Sequence, residues 1–442
     1  MSFLRQALVL ASVSAVALGA AGSAEASSFS LRSGQSAQGL GMAFAGAASG
    51  GIGLGAMAWN PATITLFPGR NSQLNATYIL PRAEYEVTDP VTLAPLPLLP
   101  GVVAGTGNIG GNGAFVPASY TNFTVGDLTL GWSTGAPYGL SSKPESQDYL
   151  GQVYNRSASV RTLNFAPTIG WRVNDWLALG AAVQIQYLDI SLKRASGVQA
   201  GAPPVILEGD DLAVGFRVGA VLTPWEGATI GVGYRSAFEH DLEGSLARPG
   251  QPTLPINARL HLPDSITVGY SQVLNDRWTV HLGGEWTNWS VFDNIPVNVT
   301  GTPITATTLN FEYDDSIYIA AGAEYAWNDR LTLRAGLAYE WSAVSDRVRN
   351  VIISDNDRLW VSAGVGFQAT PQLRIDASYS HLFVKDAPID LSATSGNPSF
   401  DPAVPVTYRA VAEPSIDIVS VSLTYRWDRP SSPAPTQGVF KP

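Results

Sequence analysis

The sequence predicts an all-β chain: a 14-stranded antiparallel transmembrane β-barrel plugged by a small N-terminal hatch. Three observations carry that expectation. Charged residues make up only 14% of the chain, where soluble domains carry about 25%, so water is not the only solvent. Past the extreme N-terminus no apolar run reaches the ~18 residues that a membrane helix needs, so a span has to be built from strands. Segments of about ten residues alternate apolar and polar side chains, as a wall with one face to lipid and one to a lumen requires.

The alternation is clearest in the C-terminal half. Leu331, Leu333, Ala335, Leu337, Tyr339 and Trp341 take one face, and Thr332, Arg334, Gly336, Ala338 and Glu340 the other. Leu373, Ile375, Ala377 and Tyr379 oppose Arg374, Asp376, Ser378 and Ser380, and the run from Val419 to Trp427 repeats the pattern. Short turns such as Val173-Asn174-Asp175-Trp176, Leu274-Asn275-Asp276-Arg277 and Trp327-Asn328-Asp329-Arg330 use residues that tolerate left-handed backbone. They recur at about 50 residues, which fits two strands and two connections. Trp171, Trp176, Trp225, Trp278, Trp327 and Trp427 lie at these turns, whereas Tyr187, Trp286, Trp289, Tyr339 and Trp341 lie near the opposite strand ends. Two aromatic girdles are expected, one at each membrane interface.

Candidate strands are 71–80, 115–125, 128–140, 157–172, 176–194, 208–223, 226–244, 255–274, 277–292, 308–327, 330–345, 356–369, 372–386 and 413–427. The first is expected to break at Pro81, ahead of a Pro- and Gly-rich loop from Asp89 to Gly113. In the third, Gly135-Ala136-Pro137-Tyr138-Gly139 interrupts the pattern, because Pro removes a ladder donor and Gly weakens the pleat, so a bend is expected.

Residues 1–26 read as a secretory signal, with Arg5, an apolar stretch from Ala7 to Ala21 and Ala24-Glu25-Ala26 as the cleavage site. Residues 27–67 follow, with eight Gly, many Ala, no charge but Arg32, and too few large apolar side chains to bury a core alone. The barrel is assigned to 68–427 and a Pro-rich tail to 428–442, which leaves Trp427 or Phe440 as the terminal assembly signal. The absence of cysteine excludes disulfides and thiolate chemistry, and the formal charge of −10 argues against a nucleic-acid partner.

No catalytic constellation emerges. The four His show no paired metal spacing, so neither metal nor cofactor is expected. His281 and Glu285 share a lumen face, which could suggest general-base chemistry but reads more simply as a hydrogen-bond network; the chain is not expected to be an enzyme. Inward charges, among them Arg374, Asp376, Arg334, Glu340, Glu285 and Glu324, are expected to clamp the plug to the wall rather than to select ions as an open porin would.

A family resemblance is specific in the same N-terminal window. Phe29, Leu31, Ser36, Gly39-Leu40-Gly41, Ala43-Phe44-Ala45-Gly46 and Asn60-Pro61-Ala62 resemble the hatch of the FadL family, outer-membrane barrels that import long-chain fatty acids and other hydrophobic compounds. The similarity continues through Leu262-Pro263-Asp264, Trp286-Thr287-Asn288-Trp289-Ser290 and Asp357 to Gly364. It implies a monomer in the outer membrane, delivered by the barrel assembly machinery and surrounded by lipopolysaccharide. It further implies passive uptake: a hydrophobic ligand captured at the surface, a hatch rearrangement, and lateral release at the kinked third strand, with Gly135, Pro137 and Gly139 as the gate.

In that family the loops after the fifth and seventh strands form a groove, here 195–207 and 245–254, with Val205, Ile206 and Leu207 as the main apolar contribution. Lys193 and Arg194 match a basic position of the family and are candidates for a fatty-acid carboxylate, or equally for lipopolysaccharide phosphates. Phe29 and Leu31 would form a movable gate on the pocket floor. The tenth strand begins Phe311-Glu312-Tyr313-Asp314-Asp315, acidic where fatty-acid importers tend to be basic, so a neutral aromatic hydrocarbon stays an alternative ligand. An adhesin or surface receptor is the alternative from another class.

Overall fold

The computed structural model describes residues 32–89, 107–109, 113–402 and 406–428. Fourteen antiparallel strands form one closed wall. They are β1 (Arg70–Asp89), β2 (Ala114–Val125), β3 (Leu128–Gly135, resuming at Gly139–Ser142), β4 (Ser157–Arg172), β5 (Leu177–Ala195), β6 (Pro204–Leu222) and β7 (Ala228–Arg235 with Phe238–Ala247). Then come β8 (Leu254–Leu262 with Ser265–Val273), β9 (Trp278–Thr287 with Asn294–Val299), β10 (Thr305–Asn310 with Ser316–Ala326), β11 (Leu331–Trp341), β12 (Arg358–Gln368), β13 (Leu373–Val384 with Ala387–Leu391) and β14 (Tyr408–Arg426). Each strand pairs with the next, and β14 closes on β1 from Asn71 opposite Arg426 to Val87 opposite Ala410. All fourteen candidate strands are present.

Side-chain parity matches the expected solvents. On β11, Leu337 is 56% exposed while Arg334, three residues away on the other face, is 4% exposed. Trp171, Trp176, Trp225, Trp278, Trp327 and Trp427 are all exposed near the short turns. Trp289 departs from the expected girdle. After Thr287 strand β9 gives way to a short 3-10 turn, Trp289–Val291, which buries the indole against Tyr138 (6.1 Å) and Phe292 (5.9 Å).

Pro81 does not end β1. The backbone of Ala83 exchanges hydrogen bonds with Ile109 at 2.9 and 2.8 Å, on the side away from β14. Pro81 has the same parity, and its nitrogen faces the side where β2 has already stopped, Ile79 being the last β1 residue opposite β2. No ladder bond is lost there, so the proline is tolerated.

The segment 32–67 lies against the inner face of the wall and is almost wholly buried. Short turns replace long elements because Gly and Ala dominate its sequence. Ser36 caps one turn by accepting from Gly39 N at 3.1 Å. Asn60 caps the next at Ala62 N (3.0 Å), with Pro61 in the first-turn position where its missing N–H does no harm. The Asn60 amide also donates to Ala48 O (2.7 Å) and to Ala220 O on β6 (2.9 Å), which ties two turns to the wall. Ala43 and Phe44 have positive φ, 46° and 55°, and are held there by tertiary contacts: Tyr318 donates to Ala43 O, and the Phe44 ring packs on Trp59 at 5.3 Å.

Wall glycines make the close approach possible. A Cβ at Gly231 would collide with Ala48 O, and one at Gly336 with the Met42 backbone. The inward charges act differently from expectation. Arg334 pairs with Asp376 (2.7 Å) and Glu324 (3.5 Å), Arg374 with Asp376 (3.1 Å), and Glu340 takes Trp360 Nε1 (3.1 Å) and Arg358 (3.4 Å). These pairs join wall to wall. Among the described residues, Arg32 with Glu285 (2.6 Å) is the salt bridge that crosses from segment to wall.

Replacing Gly336 with Val should therefore leave a barrel that still migrates differently on a gel before and after heating, while residues 32–67 become open to protease. Protection equal to wild type would show that the segment does not depend on this contact.

Candidate functional site

Among the described residues two joined cavities lie in the outer part of the lumen and a third behind the interrupted strand. The outermost, about 330 Å³, is bounded by the ends of β5, β6 and β10 and by residues 350–352 and 398–402. Strand β5 runs out to Ala195 and β6 begins at Pro204, with Arg194 opposite Val205, Lys193 opposite Ile206 and Leu192 opposite Leu207. The expected loop 195–207 is thus shorter than the sequence suggested, because the apolar run 205–207 pairs as strand rather than forming a surface groove. Val205 and Leu207 line the cavity with Lys193 and Arg194; Ile206 is not among its lining residues.

Arg248, which no sequence pattern singled out, also lines this cavity and donates to Ala306 O at 2.9 Å. Arg194 faces Asp401 at 3.7 Å, whereas Lys193 has no salt bridge among the described residues. The acidic start of the tenth strand points elsewhere. Glu312 pairs with Arg347 (2.8 Å), and Asp315 accepts from Trp286 Nε1 and Ser290 N (both 3.1 Å), while Phe311 alone of that run faces the cavity.

The second cavity, about 50 Å³, shares Leu192, Leu207, Leu309, Phe311 and Ile352 with the first. Its further walls are chiefly apolar, with Leu140, Val160, Ile190, Leu260, Phe292 and Ile295. Phe292 packs at a tilt on Phe311 (4.5 Å) and stacks on Tyr313 (5.4 Å), so the aromatic wall is continuous from the 3-10 turn of β9 to β10.

The third, about 30 Å³ and polar, lies behind the interruption of β3 and is lined by Gly135 and Pro137 together with Arg32, Gln35, Arg217 and Glu285 among others. Pairing of β3 with β2 ends at Thr134 opposite Ser119, and the resumed part, starting with Gly139 opposite Arg161, pairs only with β4. Residues 114–118 of β2 therefore have β1 on one side and no β3 partner on the other. Gln35 of the N-terminal segment closes this interruption from inside, donating to Ala136 O at 3.1 Å. Phe29 and Leu31 lie outside the described residues, as do the signal region and residues 429–442 of the tail. His281 and Glu285 are not paired with each other: His281 meets Ser271 Oγ at 2.8 Å, and Glu285 meets Arg32 and Thr267.

Removing Arg32 would take from the buried Glu285 the cation it is hydrogen-bonded to, a loss of up to about 3–5 kcal/mol when one partner of a buried pair is deleted. Arg32→Ala is expected to loosen the segment, read as faster hydrogen exchange across residues 34–45. Unchanged exchange would assign the anchoring to the Asn60 contacts instead.

Residues 17–427 match the family described as outer membrane protein transport protein (OMPP1/FadL/TodX). The 47 kDa outer membrane protein of Pasteurella multocida is 28% identical over 395 residues, 82% of this chain and 88% of that one. The long-chain fatty acid transport protein of Escherichia coli K12 is 25% identical over 387 residues, 78% of this chain and 86% of the other. In fold, a Pseudomonas aeruginosa FadL homologue superposes with a TM-score of 0.79 at 23% identity, covering 89% of this chain and 98% of its own. The Ralstonia pickettii toluene transporter TbuX gives 0.62 at 17% identity, covering 88% and 98%.

Proposed function

The chain belongs to the outer membrane protein transport family (OMPP1/FadL/TodX), which makes it an outer-membrane transporter of hydrophobic compounds, and on that premise we propose that its ligands are long-chain fatty acids taken up passively. The observation that carries this reading is the joining of two unlike cavities. The outer one presents Lys193, Arg194 and Arg248, and the inner one is walled chiefly by aliphatic and aromatic side chains. A carboxylate needs cationic donors when it leaves water, and an alkyl chain gains by leaving it. A neutral aromatic ligand would make no use of three cations at the entrance.

In this reading the carboxylate is held at Lys193 and Arg248, with Arg194 joining once Asp401 gives way, while the tail passes Val205 and Leu207 into the apolar cavity. The segment 27–67 acts as a hatch, with Phe29 and Leu31 as its movable end and Gln35 as the bolt on the interruption of β3. Release is sideways through Gly135, Pro137 and Gly139 into the bilayer, because an apolar solute gains nothing from an aqueous exit.

Lys193→Ala combined with Arg248→Ala should lower the ratio of oleate to toluene affinity by about tenfold or more, the loss of about one charge-assisted contact. Tight toluene binding without oleate binding in the wild type would replace the fatty-acid reading by a hydrocarbon one. Gly135→Val with Pro137→Thr, which rebuilds a continuous strand, is expected to abolish uptake in a barrel that still folds; undiminished uptake would refute the lateral route.

A further inference from the structure

The cavity behind the interrupted strand holds more positive charge than its own carboxylates neutralise. Three guanidinium groups line it, Arg32, Arg217 and Arg235, and Glu285 is the one acid among its lining residues. Glu285 is already engaged by Arg32 at 2.6 Å and by the Thr267 hydroxyl at 2.7 Å. Arg217 and Arg235 form no salt bridge among the described residues. Arg217 is 3% exposed and reaches only neutral groups: Met57 O at 3.4 Å and the Asn164 carbonyl at 2.9 Å, in the amide orientation that also lets Asn164 donate to Ile185 O. Arg235 lies over the Tyr138 ring at 5.0 Å. The Nε atoms of Arg32, Arg217 and Arg235 have no hydrogen-bond partner.

A buried guanidinium with only neutral partners, Arg217, beside a half-buried one, Arg235, that shares Glu285 with Arg32 leaves positive charge to spare, which is costly unless an anion is supplied, and a guanidinium fork is shaped for a carboxylate. The space fits. About 30 Å³ holds a head group of one or two water volumes and not a chain. Position points the same way. Tyr138, under Arg235, packs in one apolar cluster with Leu140, Val160, Ile190 and Phe292, which line the second cavity, so a packed cluster separates and connects the two chambers. The other wall of the polar chamber contains Gly135 and Pro137.

We infer that Arg217 and Arg235 form an inner carboxylate site, distinct from the outer cations, which holds the ligand head group while the tail enters the bilayer through the interruption of β3. The inference rests on the fatty-acid reading above. It adds an order of events: the tail leaves first, and the head is released last from the two arginines. Glu285, whose charge acts on Arg235, competes with the ligand for that cation and sets how long the head group is retained.

Full-length protein crystallised with 2-bromohexadecanoate, whose bromine marks the carboxylate end, should show anomalous density beside Arg217 and Arg235. Bromine confined to the outer cavity overturns the inner site and leaves the fatty-acid reading standing, whereas bromine at neither place overturns both. In liposomes, Arg217→Gln or Arg235→Gln should lower the ratio of oleate to oleyl alcohol uptake about tenfold. Glu285→Gln, which removes the competing carboxylate, should move oleate affinity in the opposite direction from the arginine variants. Equal effects on acid and alcohol, or changes of the same sign in all three variants, would mark the cluster as structural.

Discussion

A wall of fourteen strands encloses more interior than its own side chains can fill, and most of the architecture answers that constraint. Polar side chains that face a lumen need partners or water, and here they receive both wall-to-wall ion pairs and an inserted segment. The insertion is possible because the wall is thin where the segment touches it: Gly231 and Gly336 carry no Cβ, so backbone meets backbone. The segment in turn is poor in large side chains. That poverty, which prevents it from folding alone, is what lets it fit.

The same geometry makes the interruption of β3 meaningful. A strand that loses its neighbour in a membrane exposes backbone groups unless something inside satisfies them. Gln35 does so at Ala136 O, and the resumed strand leans on β4 alone. The interruption of the wall and the polar chamber with three guanidinium groups and one carboxylate therefore coincide.

Strands were legible because period-two alternation is a local property, and all fourteen appear. Where a residue's place depends on a neighbouring strand, the local pattern misleads. Pro81 looks like a breaker because its missing donor is visible in sequence, but whether that donor is needed depends on where β2 stops. Val205 to Leu207 follow a Gly- and Pro-containing stretch that suggests loop, yet they pair with Leu192 to Arg194 and lengthen the wall. Trp289 sits at a girdle position in sequence, and a one-turn irregularity carries it inside. Of the site, Lys193 and Arg194 were visible as adjacent cations at a strand end. Arg217 lies in β6, Arg235 within β7 and Arg248 just past its end: parity could place the first inward, opposite in phase to Phe216 and Val218, but nothing local tells that Arg217 and Arg235 share one chamber or that Arg248 lines the outer cavity.

The seam between β1 and β14 has a consequence for biogenesis. It joins the first strand of the chain to the last, and it is latched by Arg70 to Asp428 at 2.7 Å and by Trp427 Nε1 to Ser72 Oγ at 3.0 Å. No cylinder exists until the final strand has been made, so during delivery both outer strands present unpaired edges. The N-terminal segment is attached directly ahead of β1 and is wrapped on all sides in the finished state. It has to be in place when that seam zips, or else thread in afterwards past Asp428, so the order of closure decides whether the lumen is sealed filled or empty.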